Sequence, residues 1–131
     1  MTSPILRIAA SVLLLLAVAS CRTAPVYNVE NASLSTPASA SVEDVERAII
    51  RAGAQLGWQM SKQTPGHIVA RLPVRSHLAV TDIRYSKETL SITYKDSTNL
   101  HYDAGSNVIH SNYNGWVQRL QNSIVAQVSA L

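Results

Sequence analysis

Cys21 is the single thiol in a chain of 131 residues, and its neighbours point to one reaction. It follows Val18-Ala19-Ser20, an aliphatic residue and two small ones. Upstream, Arg7 precedes an apolar run from Ile8 to Val18. A basic start, an apolar stretch of roughly 7–15 residues and a small-residue cleavage site together make a secretory signal. With a cysteine at the cleavage point this becomes the bacterial lipobox. The expected chemistry is acylation of the Cys21 sulfur after removal of signal peptide 1–20. The strictly apolar run Val12 to Ala19 is far shorter than the roughly 20 residues of a spanning helix. Acylation also explains a lone cysteine in an exported chain, which would otherwise be a free thiol. One acyl chain anchors weakly and additional chains make the anchor durable. Arg22, not Asp, follows the cysteine. By resemblance to enterobacterial sorting, that places the anchor in the outer membrane, with the domain facing the periplasm.

The other chemistry-bearing residues specify less. His67, His77, His101 and His110 accompany Asp82, Asp96 and Asp103, but no H-x-H or H-x-x-x-H pair occurs. Catalytic zinc takes three protein ligands at defined spacing, so no metal is expected. There is no G-x-S-x-G elbow and no Gly-rich phosphate loop, so no catalytic residue and no cofactor is assigned. For an enzyme acting on cell-wall or envelope material, His110 and Asp96 are the least poor acid and base candidates. The competing expectation is a non-enzymatic interaction module. Tyr94, Tyr102, His110, Asn112 and Tyr113 would form a polar-aromatic surface on one edge, suited to an envelope protein or a glycan. Asn99, Asn112 and Asn114 also suit turns, caps and bonds to backbone, and Asp96 and His110 could brace the loop before the last helix. Trp116 is assigned to the core. Arg71, Arg75 and Arg84 are expected on an open sheet face, available to solvent or to an anionic partner such as lipopolysaccharide headgroups.

Ten of the eleven Lys and Arg residues and all eight Asp and Glu lie after Ser20, a formal charge of +2. That excess is too small to indicate nucleic acid. No second cysteine exists for a disulfide, so the fold must rest on its apolar core. Phe is absent, and five Tyr and two Trp supply the aromatic bulk; both carry polar tips that suit partly exposed positions.

Three segments position these residues. Lipidated Cys21 and residues 22–40, with Pro25, Pro37 and many Ser, Thr, Ala and Asn, read as a flexible tether. An α+β domain is expected from 41 to 131. Ser41 can cap a helix whose first turn carries Glu43 and Asp44. Val42, Val45, Ile49, Ala52 and Leu56 recur at helical spacing, Glu43 and Arg47 form an i,i+4 pair, and Gly57 is a natural stop. Trp58 to Lys62 is a short first strand, and Pro65-Gly66 is a turn. His67 to Val74 alternates, with Ile68, Ala70, Leu72 and Val74 on one face. Pro73 puts it near a strand end or edge. Leu78 to Tyr85 places Ala79, Thr81, Ile83 and Tyr85 inward, and Thr89 to Lys95 does so with Leu90, Ile92 and Tyr94. The connections are too short for parallel crossovers, so three to four strands form an antiparallel meander. Leu100 and Tyr102 could pair with Val108 and Ile109. A second helix from about Asn112 presents Tyr113, Trp116, Val117, Leu120, Ile124 and Val128. Both helices are expected to pack on one face of the sheet.

The run Ser91-Ile92-Thr93-Tyr94-Lys95-Asp96-Ser97-Thr98-Asn99-Leu100, then Ile109-His110-Ser111-Asn112-Tyr113-Asn114-Gly115-Trp116, is the most distinctive stretch. It resembles a family of small bacterial envelope lipoproteins with the pattern SI-x-Y-x-DS-x-NL followed by IH-x-NYN-x-W. Gly66-His67-Ile68, Arg75-Ser76-His77 and Ile83-Arg84-Tyr85 extend the likeness across most of residues 42–125. The resemblance implies an envelope lipoprotein with this fold and brings no catalytic residue.

Overall fold

The computed structural model describes residues 22–131. The expected signal peptide 1–20 and the expected acylation site Cys21 lie outside the described residues. The elements run β1 (Thr23–Pro25), β2 (Val29–Ser33), α1 (Val42–Gln55), β3 (Gln59–Thr64), β4 (His67–Val74), β5 (His77–Tyr85), β6 (Thr89–Thr98), β7 (Val108–His110) and α2 (Ser111–Ser129). The class is α+β. Strands β3 to β6 form the expected meander, and β2 joins it beside β6 to give a five-stranded antiparallel sheet ordered β2-β6-β5-β4-β3. A separate two-stranded sheet pairs β1 with β7. The sheet therefore has one strand more than the longest meander expected.

Local sequence explains the two helices. At α1, the Ser41 side chain accepts from Asp44 N while the Asp44 carboxylate accepts from Ser41 N, a closed capping box. The buried stripe is Val45, Ala48, Ile49, Ala52 and Gly53. Val42 and Leu56, expected on the stripe, are 38% and 40% exposed because the helix ends run past the core. Arg47 pairs with Asp44, not Glu43. The Met60 side chain fills the space beside Gly53, where a Cβ would lie 2.3 Å from its sulfur and would oblige that flexible side chain to shift. Gly57, at φ +90°, ends the helix in a conformation that only glycine adopts freely. Helix α2 buries Tyr113, Val117, Leu120, Ile124 and Val128. Trp116 is half-buried and packs against this core from its margin.

The inward residues of the sheet join both helical stripes in one core. Ile68, Ala70, Ile83, Leu90 and Ile92 are fully buried beside Ile49, Leu120 and Ile124. Each such side chain contributes on the order of 1.5–3 kcal/mol relative to exposure. The two helices also bond through polar groups: Gln127 accepts from Arg51 Nε at 3.0 Å and donates to Gln55 at 2.7 Å.

Residues 22–40 are not the flexible tether expected. They supply β1 and β2, and they bury Val29, Leu34 and Ala40. Distant partners tie them down. Ser111 N donates to the Arg22 carbonyl at 2.8 Å, and Leu34 N donates to the Glu88 carbonyl at 2.9 Å. Tyr27 donates from its amide to Asn114 at 2.9 Å and from its hydroxyl to Gln121 at 2.6 Å. The physical reason for the difference is a bulge. Val29 sits opposite Ile92 and Ala32 opposite Leu90, so three steps on β2 match two on β6, and Asn31 takes φ +51°. A bulge of this kind erases the period-two alternation by which a strand is read.

Candidate functional site: a stacked tyrosine edge

Strand β6 carries Tyr94 into a second bulge. Tyr94 opposes Thr81 and Asp96 opposes Val80, so Lys95 is the extra residue. Just beyond the strand the chain bends sharply. Asn99 and His101 adopt φ +59° and +53° on either side of buried Leu100. A histidine in this left-handed region is costly, and the surroundings hold it there. His110 N donates to the Leu100 carbonyl at 2.8 Å, and the Asn99 carbonyl accepts from His77 Nδ1 at 2.7 Å. Asn99 also donates to Ser76 Oγ at 3.0 Å. The expected pairing of Leu100 and Tyr102 with Val108 and Ile109 does not form: Leu100 is bonded by His110 N, the bridge runs between Asp103 and Val108, and β7 takes β1 as its ladder partner.

This bend stacks three phenol rings from core to surface. Tyr113 is fully buried and meets Tyr94 edge-on, with centroids 5.8 Å apart. Tyr94 is half-buried and stacks on Tyr102 at 4.0 Å and 25°. Tyr102 is 39% exposed. Beside the stack opens a groove of about 690 Å³, lined by Tyr94, Lys95, Asp96, Ser97, His101 and Tyr102 among others. The Tyr94 hydroxyl lies 2.8 Å from Ser97 Oγ. Burial raises the Tyr94 phenol above its usual range, and raises that of Tyr113 further with help from the neighbouring phenols. The Tyr113 hydroxyl has no hydrogen-bond partner among the described residues.

Of the five residues expected on a binding surface, Tyr102 and Asn112 are exposed, and Tyr94 and His110 are half-buried. Tyr113 is a correction: the inward stripe of α2 buries it completely, so it supports the edge from beneath and presents nothing to a ligand. His110 is the N-cap of α2. Its Nδ1 accepts from Asn112 N at 3.1 Å, a role that requires that nitrogen to be unprotonated. His110 does not line the groove, whereas Asp96 does. The Asp96 carboxylate accepts from the Ser97 amide at 2.8 Å. The proposed acid and base are thus not gathered in one pocket.

The remaining histidines disperse. His67 Nε2 lies 2.7 Å from Asp82, which also has Lys95 at 3.8 Å. His101 stacks loosely on His110, with centroids 6.5 Å apart. Among the described residues, no three His, Cys, Asp or Glu side chains come together at metal-binding range. Arg71 and Arg84 are exposed on alternate strand positions and make no ion pair among the described residues. Arg75, by contrast, sits in the β4–β5 turn at φ +56°, off the sheet face.

One cluster escaped the sequence reading. The Tyr85 hydroxyl donates to Glu46, whose other oxygen is 3.2 Å from Lys62 Nζ. These residues border a small cavity of about 100 Å³ between α1 and the sheet. The tyrosine bond holds the Glu46 carboxyl below the usual carboxylate range, and burial lifts Tyr85 to about 12. Alternation placed Tyr85 inward, but no local signal distinguishes Glu46 from any other helical glutamate.

Among the described residues, no helix is long and apolar enough to cross a membrane. Comparison with known protein families, with curated proteins and with solved structures returns no match.

Proposed function

We propose that this chain is a lipoprotein of the bacterial cell envelope, acylated at Cys21, whose domain is a non-enzymatic interaction module. The lipobox supports the anchor. The observation that carries the binding role is the Tyr94–Tyr102 edge, where an exposed aromatic ring borders an open groove rich in hydrogen-bonding side chains. Rings with adjacent amides and hydroxyls suit a glycan or an extended peptide, because they combine apolar area with a few directional bonds. Hydrogen bonds from His77, His110 and Asn99 set the bend that brings Tyr102 onto Tyr94 before a ligand arrives, and such preorganisation lowers the entropy cost of binding. The assignment of His110 to the α2 cap supports recognition over general acid–base chemistry. Packing of both helices against the inward face leaves Arg71 and Arg84 on the outward face, secondary to the groove.

The test is photo-crosslinking in intact cells, with the reactive side chain at Tyr102 in one strain and at Arg71 in another. Capture of one partner from position 102 and none from 71 supports the module. Purified chain that turns over an envelope substrate, with loss of turnover in Asp96→Asn, would replace it with an enzyme.

A further inference from the structure

We infer that the domain stands directly on the bilayer that holds its anchor, with the β1–β7 end and the start of α2 in the headgroup layer. The inference rests on the reading of Cys21 as the acylated residue and goes beyond it, because nothing in a lipobox sets how a domain is oriented.

The argument starts from where the described chain begins. The Arg22 carbonyl accepts from Ser111 N at 2.8 Å, and Thr23 opposes His110 in the β1–β7 ladder. Cys21 is the next residue in the sequence, one peptide bond before Arg22. A free tether of 19 residues would give the domain a reach of roughly 24 Å and leave its orientation unconstrained. Here residues 23–25 and 29–33 are paired strands, so no flexible segment separates the acyl chains from the fold. Insertion of those chains into lipid draws Arg22, His110 and Asn112 to the surface together.

The side chains at that end suit a headgroup layer. Arg22 and Asn112 are exposed, His101 is exposed beside His110, and Tyr102 shows an apolar ring with a polar tip. Tyrosine favours this boundary between apolar and wet surroundings. Because His101 and Tyr102 also line the groove, the groove opens next to the bilayer and meets ligands presented there. Helix α2 leads away from the anchor. Asn112 and Ala126 are both exposed, lie on nearly the same side of α2, and are about 21 Å apart along its axis.

That pair makes the test. The full chain, processed in cells and reconstituted in phosphatidylcholine–phosphatidylglycerol vesicles, carries a thiol-directed fluorophore in Asn112→Cys or Ala126→Cys, with a nitroxide quencher on lipid headgroups. Quenching several-fold stronger at 112 than at 126 is expected. Equal quenching, or stronger quenching at 126, overturns the orientation while leaving the anchor intact. Wild type should take no label, since its one cysteine is held as a thioether. Labelling of Cys21, or an unacylated N-terminus by mass spectrometry, overturns the anchor reading and the orientation with it. A Gly-Ser insertion between Cys21 and Arg22 should abolish the difference at an unchanged melting temperature. A difference that survives the insertion overturns the short anchor as its cause.

Discussion

Two tyrosines, Tyr85 near the end of β5 and Tyr94 in β6, hold inward positions on neighbouring strands and meet different fates. Tyr85 gives its hydroxyl to Glu46 and closes a cavity of about 100 Å³ between helix and sheet. Tyr94 keeps its ring between a buried tyrosine and an exposed one, beside a groove of about 690 Å³. The first corner is a polar clasp whose bonding capacity is used internally. The second turns aromatic surface outward on a hydrogen-bonded bend. Residue type and strand position are shared, so the difference lies in what the rest of the chain brings to each ring.

The largest test removes what only one of the two regions uses. The 22–40 segment supplies Asn28, which accepts from Tyr94 N at 2.9 Å, and β1, the partner of β7. None of it bonds Glu46, Lys62 or Tyr85. A chain beginning at Ser41 is expected to lose cooperative thermal unfolding by circular dichroism, because Val29 leaves the core and Leu90 and Ile92 lose their covering strand. A sharp transition near the wild-type temperature would show that the tyrosine edge stands without the strap.

Opposite effects are expected from one substitution at the two corners. Tyr85→Phe removes a bond to a half-buried carboxylate and should cost about 1–2 kcal/mol. Tyr113→Phe removes a hydroxyl that is buried with no partner, and should be neutral or stabilising by up to about 1 kcal/mol. Urea unfolding of the two variants measures both. A comparable loss at Tyr113 would mean that its hydroxyl is bonded in solution.

The clasp also predicts a pH window. Glu46 has its folded pKa lowered, chiefly by the Tyr85 bond, so its contribution is full above the ordinary carboxylate value of 4.5 and is lost as pH falls through the lower folded value. Tyr85 is raised from 10.0 to about 12, chiefly by burial, so its contribution is full below 10 and is lost as pH rises towards 12. Urea midpoints should therefore fall at both ends, and Glu46→Gln should flatten the acid limb. An acid limb unchanged in Glu46→Gln would assign it to other carboxylates.

The smallest effects belong to the open edge. Tyr102→Ala should cost about 0.5–1.5 kcal/mol through lost stacking, and Asn112→Ala about 0.5 kcal/mol or less. Both should weaken partner capture. His110→Ala is not a clean binding variant, since loss of the cap costs on the order of 1 kcal/mol. Arg71→Ala, exposed on the outward face, should leave both stability and capture unchanged.

Local pattern determined a good deal of this protein. The Ser41 cap, the inward faces of β4, β5 and β6 and the apolar stripe of α2 are each written within a few consecutive residues, where helical or strand periodicity and cap chemistry can be read directly. Two things were decided only by the tertiary structure. One is the 22–40 segment, whose β2 bulge hides its alternation and whose bonds reach partners up to 94 residues away. The other is which tyrosine of the edge faces water: Tyr113 is buried by the inward stripe of α2, and Tyr102 is exposed by the left-handed bend at Asn99 and His101. Neither could be read locally, because burial depends on what the distant chain places over a side chain.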